Sequence, residues 1–308
     1  MTTLDWSEGG SVNRSVSLAE LAGVAKGEVL RDPEFVVRGV CSLRSPAENC
    51  LAFAKTLDGK DQDELRKAGI ALLVPRTEQD VRLPAIAVDN PRFAFAELVN
   101  HFFAPEKRSG IAPSAHIHES AVMGRDVAIG HGCVLGPGCE IGDGTELRHN
   151  VVVGERVKIG RNCLIKSGAV IGEEGFGFEQ RRDGSYLRIP HLGSVTIGDE
   201  VEIGATTVIC QGTIDSTSVG DRTKIDDHVF VAHNCRIGED VIIIACAEVS
   251  GSVEVGPRAW IGPNAAILNG IRIAADSLIG MGAVVTKPTE EGGIYAGSPA
   301  RLLRFKGQ

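Results

Sequence analysis

The sequence predicts a mainly β protein, a parallel β-helix of six-residue repeats that follows a small N-terminal α+β domain. Three observations carry that expectation. Every sixth residue is aliphatic or Met from Ile111 through Ile171, again at Ile197, Ile203 and Ile209, and once more from Val219 through Val285. Glycine often comes next, as at Gly124, Gly130, Gly142, Gly204 and Gly238, and 38 of the 308 residues are Gly, about 12% against ~7% in ordinary chains. Apolar residues make up 43% of the chain but aromatics only 5%, which suits a regular stack with small side chains at its corners.

A period of six matches neither the 3.6-residue helix nor the two-residue alternation of a long strand. It fits a prism with three faces: a short strand, a corner where Gly or Asn takes positive φ, then the next face. Three hexads make an 18-residue coil. Stacked coils pair as parallel strands, and the sixth-position aliphatics form ladders down the axis. By analogy with other solenoids of this period the winding is left-handed, against the right-handed rule for ordinary crossovers.

Residues 1–104 lack the repeat and read as the α+β domain. Ser17 caps a helix beginning Leu18-Ala19-Glu20-Leu21-Ala22. Strands are expected at 35–40 and 71–74, and an amphipathic helix from Pro91 to Phe103. Residues 105–110 read as a linker and 111–287 as the β-helix. The register breaks twice inside it. Residues 173–196 replace hexads with Phe, Tyr, Arg and Gly and read as a projecting loop. The shorter slip at Asp215–Ser218 reads as a corner bulge without a necessary role. Residues 288–308 form a closing tail.

The formal charge of −8 argues against a nucleic-acid binder that works by neutralising phosphates. With no apolar run of ~20 residues and no basic-then-apolar leader, no membrane span is expected, and a cytoplasmic location is. The eight cysteines include no C-x-x-C pair, so small apolar residues in a reduced interior are expected rather than disulfides or zinc.

Interior positions are aliphatic, so chemistry must come from corners and loops. His131 and His149 lie one coil apart, but the next coil offers Ser167, and no metal site is expected there. His233 is better placed. Gly251 follows it by one coil, which puts a backbone N–H without side-chain cover one rung from the imidazole. Asp226, seven residues upstream, is expected to set the tautomer. A base beside an N–H donor is what acyl transfer needs: His233 as general base, the Gly251 N–H for the oxyanion.

Several segments then carry a resemblance: Val36-Val37-Arg38-Gly39-Val40 with Leu51-Ala52-Phe53, Ile111-Ala112-Pro113-Ser114-Ala115, Gly175-Phe176-Gly177-Phe178, Ile189-Pro190-His191-Leu192-Gly193, and Val231-Ala232-His233-Asn234-Cys235. The C-terminal two-thirds is similar to the hexapeptide acyltransferases, and residues ~15–290 resemble the UDP-3-O-acylglucosamine N-acyltransferase family of lipid A biosynthesis. The resemblance implies a homotrimer with active sites between adjacent β-helices, and matches His233, Gly251 and Asp226 to its catalytic positions. It implies that Phe53 stacks on the nucleotide base, and that Phe176, Phe178, His191 and Asn234 line the substrate pocket. It also implies a 3-hydroxyacyl thioester donor on acyl carrier protein phosphopantetheine, a nucleotide-linked amino sugar as acceptor, and no covalently bound cofactor.

Three places depart from that pattern. Thr56 and Gly59 stand where the family has the Asn and Tyr of its uracil clamp, and Asn269-Gly270-Ile271 lacks a second His. The segment from Ile294 to Arg301 resembles the closing segment of CoA-dependent sugar acetyltransferases. Alternatives are therefore an acyl-CoA-dependent N-acyltransferase on another nucleotide amino sugar, a trimeric binding scaffold without catalysis, and a metal-dependent hydratase on the same solenoid.

Overall fold

The computed structural model describes residues 14–57, 59–78, 80–105 and 107–307, which divide into two compact units at residues 107 and 108. In the first unit, five strands form one sheet in the order 28–31, 85–88, 71–75, 50–53, 39–40. The edge strand 28–31 runs antiparallel to its neighbour and the other pairs are parallel. Strands 71–75 and 85–88 are nearly continuous apolar runs, as strands covered on both faces must be. The helix Leu18–Ala25 opens with a full capping box between Ser17 and Glu20. Asn90 caps Pro91–Leu98, and the expected helix continues to Phe103 as one wider π turn, Val99–Phe103.

The second unit is the predicted prism. Its strands are mostly two residues long and fall into three parallel faces of eight, nine and eleven strands, the last ending in an antiparallel strand at 301–305. Val122 pairs with Glu140 and Glu140 with Lys158, so neighbours in a face are 18 residues apart. The sixth-position side chains close the axis: Ile129, Leu147, Ile165, Ile203, Ile243 and Ile279 expose no surface. A second set of inward residues lies two places earlier and includes Cys133, Cys139, Cys163 and Cys235. Thr145, Thr207 and Thr223 take the same place, and their hydroxyls donate to the carbonyls of Gly160, Asp226 and Gly238. These hydroxyls are buried without loss because each has a partner.

The corners explain the glycine content. At most corners one residue takes positive φ, among them Asn150, Asn162, Asn234 and Gly132. Another sits where the next coil's backbone passes too near for a side chain: a Cβ at Gly204 would lie 2.2 Å from the carbonyl carbon of Asp226.

Both breaks are visible as extra chain between paired rungs. Lys158 pairs with Thr196 across the long insertion, whose middle is an antiparallel hairpin of 178–180 with 186–188. Thr196 then pairs with Ser218, a coil four residues longer than the regular eighteen. The extra residues form the turn at 211–216.

Burial holds the Cys235 thiol up to about 12, whereas Cys246 is exposed at a corner. A thiol-specific reagent at pH 8 is therefore expected to modify Cys246 in the native protein and Cys235 only after unfolding; peptide mapping of the labelled protein reads this, and early labelling of Cys235 would contradict the buried ladder.

Candidate active site

The strand Phe230–Val231 ends one face, and Ala232-His233-Asn234 turn the corner after it. One coil on, Ser250-Gly251-Ser252 turn the same corner, and the Ser252 N–H donates to the His233 carbonyl at 2.9 Å. The imidazole lies against Gly251: a Cβ there would sit 2.8 Å from His233 Cε1 and 2.9 Å from Nε2. Among the described residues the Gly251 N–H has no acceptor. The base and the bare amide thus share one edge of the prism, as the 18-residue spacing predicts.

The hydrogen-bond network fixes the tautomer. Asn234 Oδ1 accepts from the Thr213 N–H at 3.1 Å and from its hydroxyl at 2.9 Å, and lies 2.9 Å from His233 Nδ1. A backbone N–H can only donate, so the Asn234 atom it meets is the oxygen and His233 Nδ1 must carry the proton. That leaves the Nε2 lone pair on the side of Gly251. Within the chain, then, Asn234 does what was expected of Asp226. The Asp226 carboxylate sits on the preceding edge, where Oδ2 accepts the Ala245 N–H at 3.2 Å. Seven residues is one face plus one residue, which carries a side chain to the neighbouring corner.

The inserted loop folds back over His233. His191 is 4% exposed, and its ring meets the His233 ring edge-on with centroids 5.2 Å apart. Burial, then the charge on His233, pushes the His191 pKa below the ordinary histidine value. The loop also presents Phe176 and Phe178, whose rings are 4.8 Å apart and which are 84% and 38% exposed. Arg188 lies over the Phe178 ring and pairs with Glu174. Tyr186, Leu187, Leu192 and Ile214 are likewise exposed.

Phe53 belongs to the first unit, at the end of strand 50–53, with its ring 5.1 Å from that of Phe95. His131 and His149 stack at 5.8 Å, and no group of three or more potential metal ligands is assembled among the described residues. Sequence reading missed Thr213 and Gln211. Both lie beside the register slip, the one signal that pointed to them.

A bacterial transferase hexapeptide model (six repeats) matches residues 120–155, 138–173 and 252–287, so the prism carries the repeat of the hexapeptide transferases. Over most of its length the chain is similar to curated UDP-3-O-acylglucosamine N-acyltransferases. That of Coxiella burnetii is 34% identical, covering 91% of this chain and 87% of the relative. That of Hahella chejuensis is 35% identical, covering 94% and 89%. The solved UDP-N-acetylglucosamine O-acyltransferase of Moraxella catarrhalis superposes with a TM-score of 0.59 at 28% identity, covering 64% of this chain and 75% of that one. The chain belongs to the UDP-3-O-acylglucosamine N-acyltransferase family, and by that membership it is an acyltransferase.

Replacing Gly251 with Ala puts a methyl group into the His233 ring and must displace it. A loss of about 10²-fold in kcat is expected from misplacing the base by about 1 Å, with the thermal midpoint little changed; a variant with full turnover would show that the contact is not used.

Proposed function

We propose that this protein transfers a 3-hydroxyacyl group from a thioester to the amine of UDP-3-O-acylglucosamine, a step of lipid A synthesis. The observation that carries the reading is the pairing of an Nε2 lone pair with a bare Gly251 N–H on one edge. The amine attacks the thioester carbonyl as His233 Nε2 takes its proton, and the Gly251 N–H stabilises the oxyanion that forms. Collapse of the tetrahedral intermediate breaks the C–S bond, and the leaving thiolate takes its proton from His233. Asn234 keeps Nδ1 protonated throughout.

The donor in this reading is acyl carrier protein phosphopantetheine, and the working form is a cytoplasmic homotrimer. Phe176 and Phe178 supply apolar contact for the acyl group and Phe53 stacks on the uracil. Asp226 stays with the Ala245 N–H on the adjacent edge of its own chain, and Asn234 takes its part in orienting the base. A second reading, acyl-CoA as donor, is favoured by the segment Ile294 to Arg301, which resembles that of CoA-dependent acetyltransferases.

The test is His233→Ala assayed on UDP-3-O-acylglucosamine and other nucleotide amino sugars, with 3-hydroxyacyl carrier protein and with acyl-CoA. Loss of a general base should lower kcat by ~10²–10⁴-fold. A drop of less than tenfold would remove the mechanism, and turnover by the parent enzyme with acyl-CoA alone would replace the donor.

A further inference from the structure

His191 has more structure around it than a loop residue needs. Two glycines wall it in: a Cβ at Gly175 would lie 2.8 Å from His191 Nε2 and 2.9 Å from His233 Cβ, and one at Gly177 would lie 2.9 Å from His191 Cε1. Its carbonyl accepts from the buried Gln211 side chain at 2.9 Å. The next residue, Leu192, donates its N–H to the Thr213 carbonyl at 2.8 Å. Thr213 is the residue whose N–H and hydroxyl hold Asn234 Oδ1, and Asn234 holds His233 Nδ1. The segment carrying His191 is therefore joined to His233 twice, by ring contact and through Thr213 and Asn234.

We propose that His191 is a positioning residue for His233, a second imidazole that fixes the plane of the base so that Nε2 stays over Gly251. The proposal rests on the acyl-transfer reading for its kinetic consequence but not for its geometry. Neither ring nitrogen of His191 has a hydrogen-bond partner among the described residues. Burial, then the neighbouring His233, lowers its pKa. In an edge-on pair the positive rim of one ring meets the negative face of the other, which resists rotation of either.

The experiment compares His191→Ala and His191→Phe in the parent chain and His191→Ala in a His233→Ala background. His191→Ala should lower kcat by about 10- to 100-fold, the cost of a poorly held catalytic group, and leave KM for both substrates within about twofold. His191→Phe, which restores a ring, should recover most of that loss. With His233 already replaced, His191→Ala should cost nothing further, since residues that act as one unit are not additive. Equal losses in both backgrounds would mean a general structural defect, and a raised KM with kcat intact would mean a substrate contact; either overturns the proposal. Nitrogen-15 shifts of the His233 ring, read without substrate, should show a single Nδ1–H tautomer in the parent and averaging in His191→Ala. Unchanged shifts would sink the positioning role even if the reaction assignment stood, and changed shifts would keep it if that assignment failed.

Discussion

Ser252 donates its N–H to the His233 carbonyl, and the same bond recurs between coils along the stack, as from Asn150 to His131 and from Gly270 to Gly251. Each such bond reaches back 19 residues and accompanies the parallel strand pairing of residues 18 apart, the constraint on which everything else depends. It places aliphatics over aliphatics on the axis, so the core fills with Tyr295, at the closing end, as its one buried aromatic among the described residues. It also sets corner residues over corner residues at the spacing of adjacent strands, about 4.8 Å. An imidazole and an amide separated by 18 positions are thereby brought together without any loop having to find its place.

That regularity is why so much could be read from the chain. The faces follow from Ile111, Ile117 and the positions after them, and the pairing of His233 with Gly251 follows from adding one coil. The network behind the base was not legible in the same way. Thr213 lies 21 residues before Asn234, inside the one coil that is four residues too long, so the 18-residue rule assigns it no neighbour. Asp226 is the opposite case: the rule does place it, and it places it at the adjacent corner of its own chain. The hairpin of 178–180 with 186–188 likewise obeys antiparallel geometry that a six-residue period does not describe.

The two irregular segments belong together. The long insertion brings His191 onto the base, and the short one brings Thr213 to the amide that holds its Nδ1 proton; Leu192 and Gly193 bond to Thr213 and Gly212 and join them. What looks along the sequence like two unrelated faults is in space one frame around His233. Edge glycines let the frame close, since Gly175 fits only as glycine between the two histidines.

Coils remote from His233 carry no part of that frame, and each bonds only to the rungs above and below it. Adding or removing whole storeys there in multiples of eighteen leaves the corner of His233 in register, whereas deletion of a single hexad anywhere before it would turn the rest of the tower by a third of a revolution. The corner of His233 thus depends on the phase of the coils and not on their number.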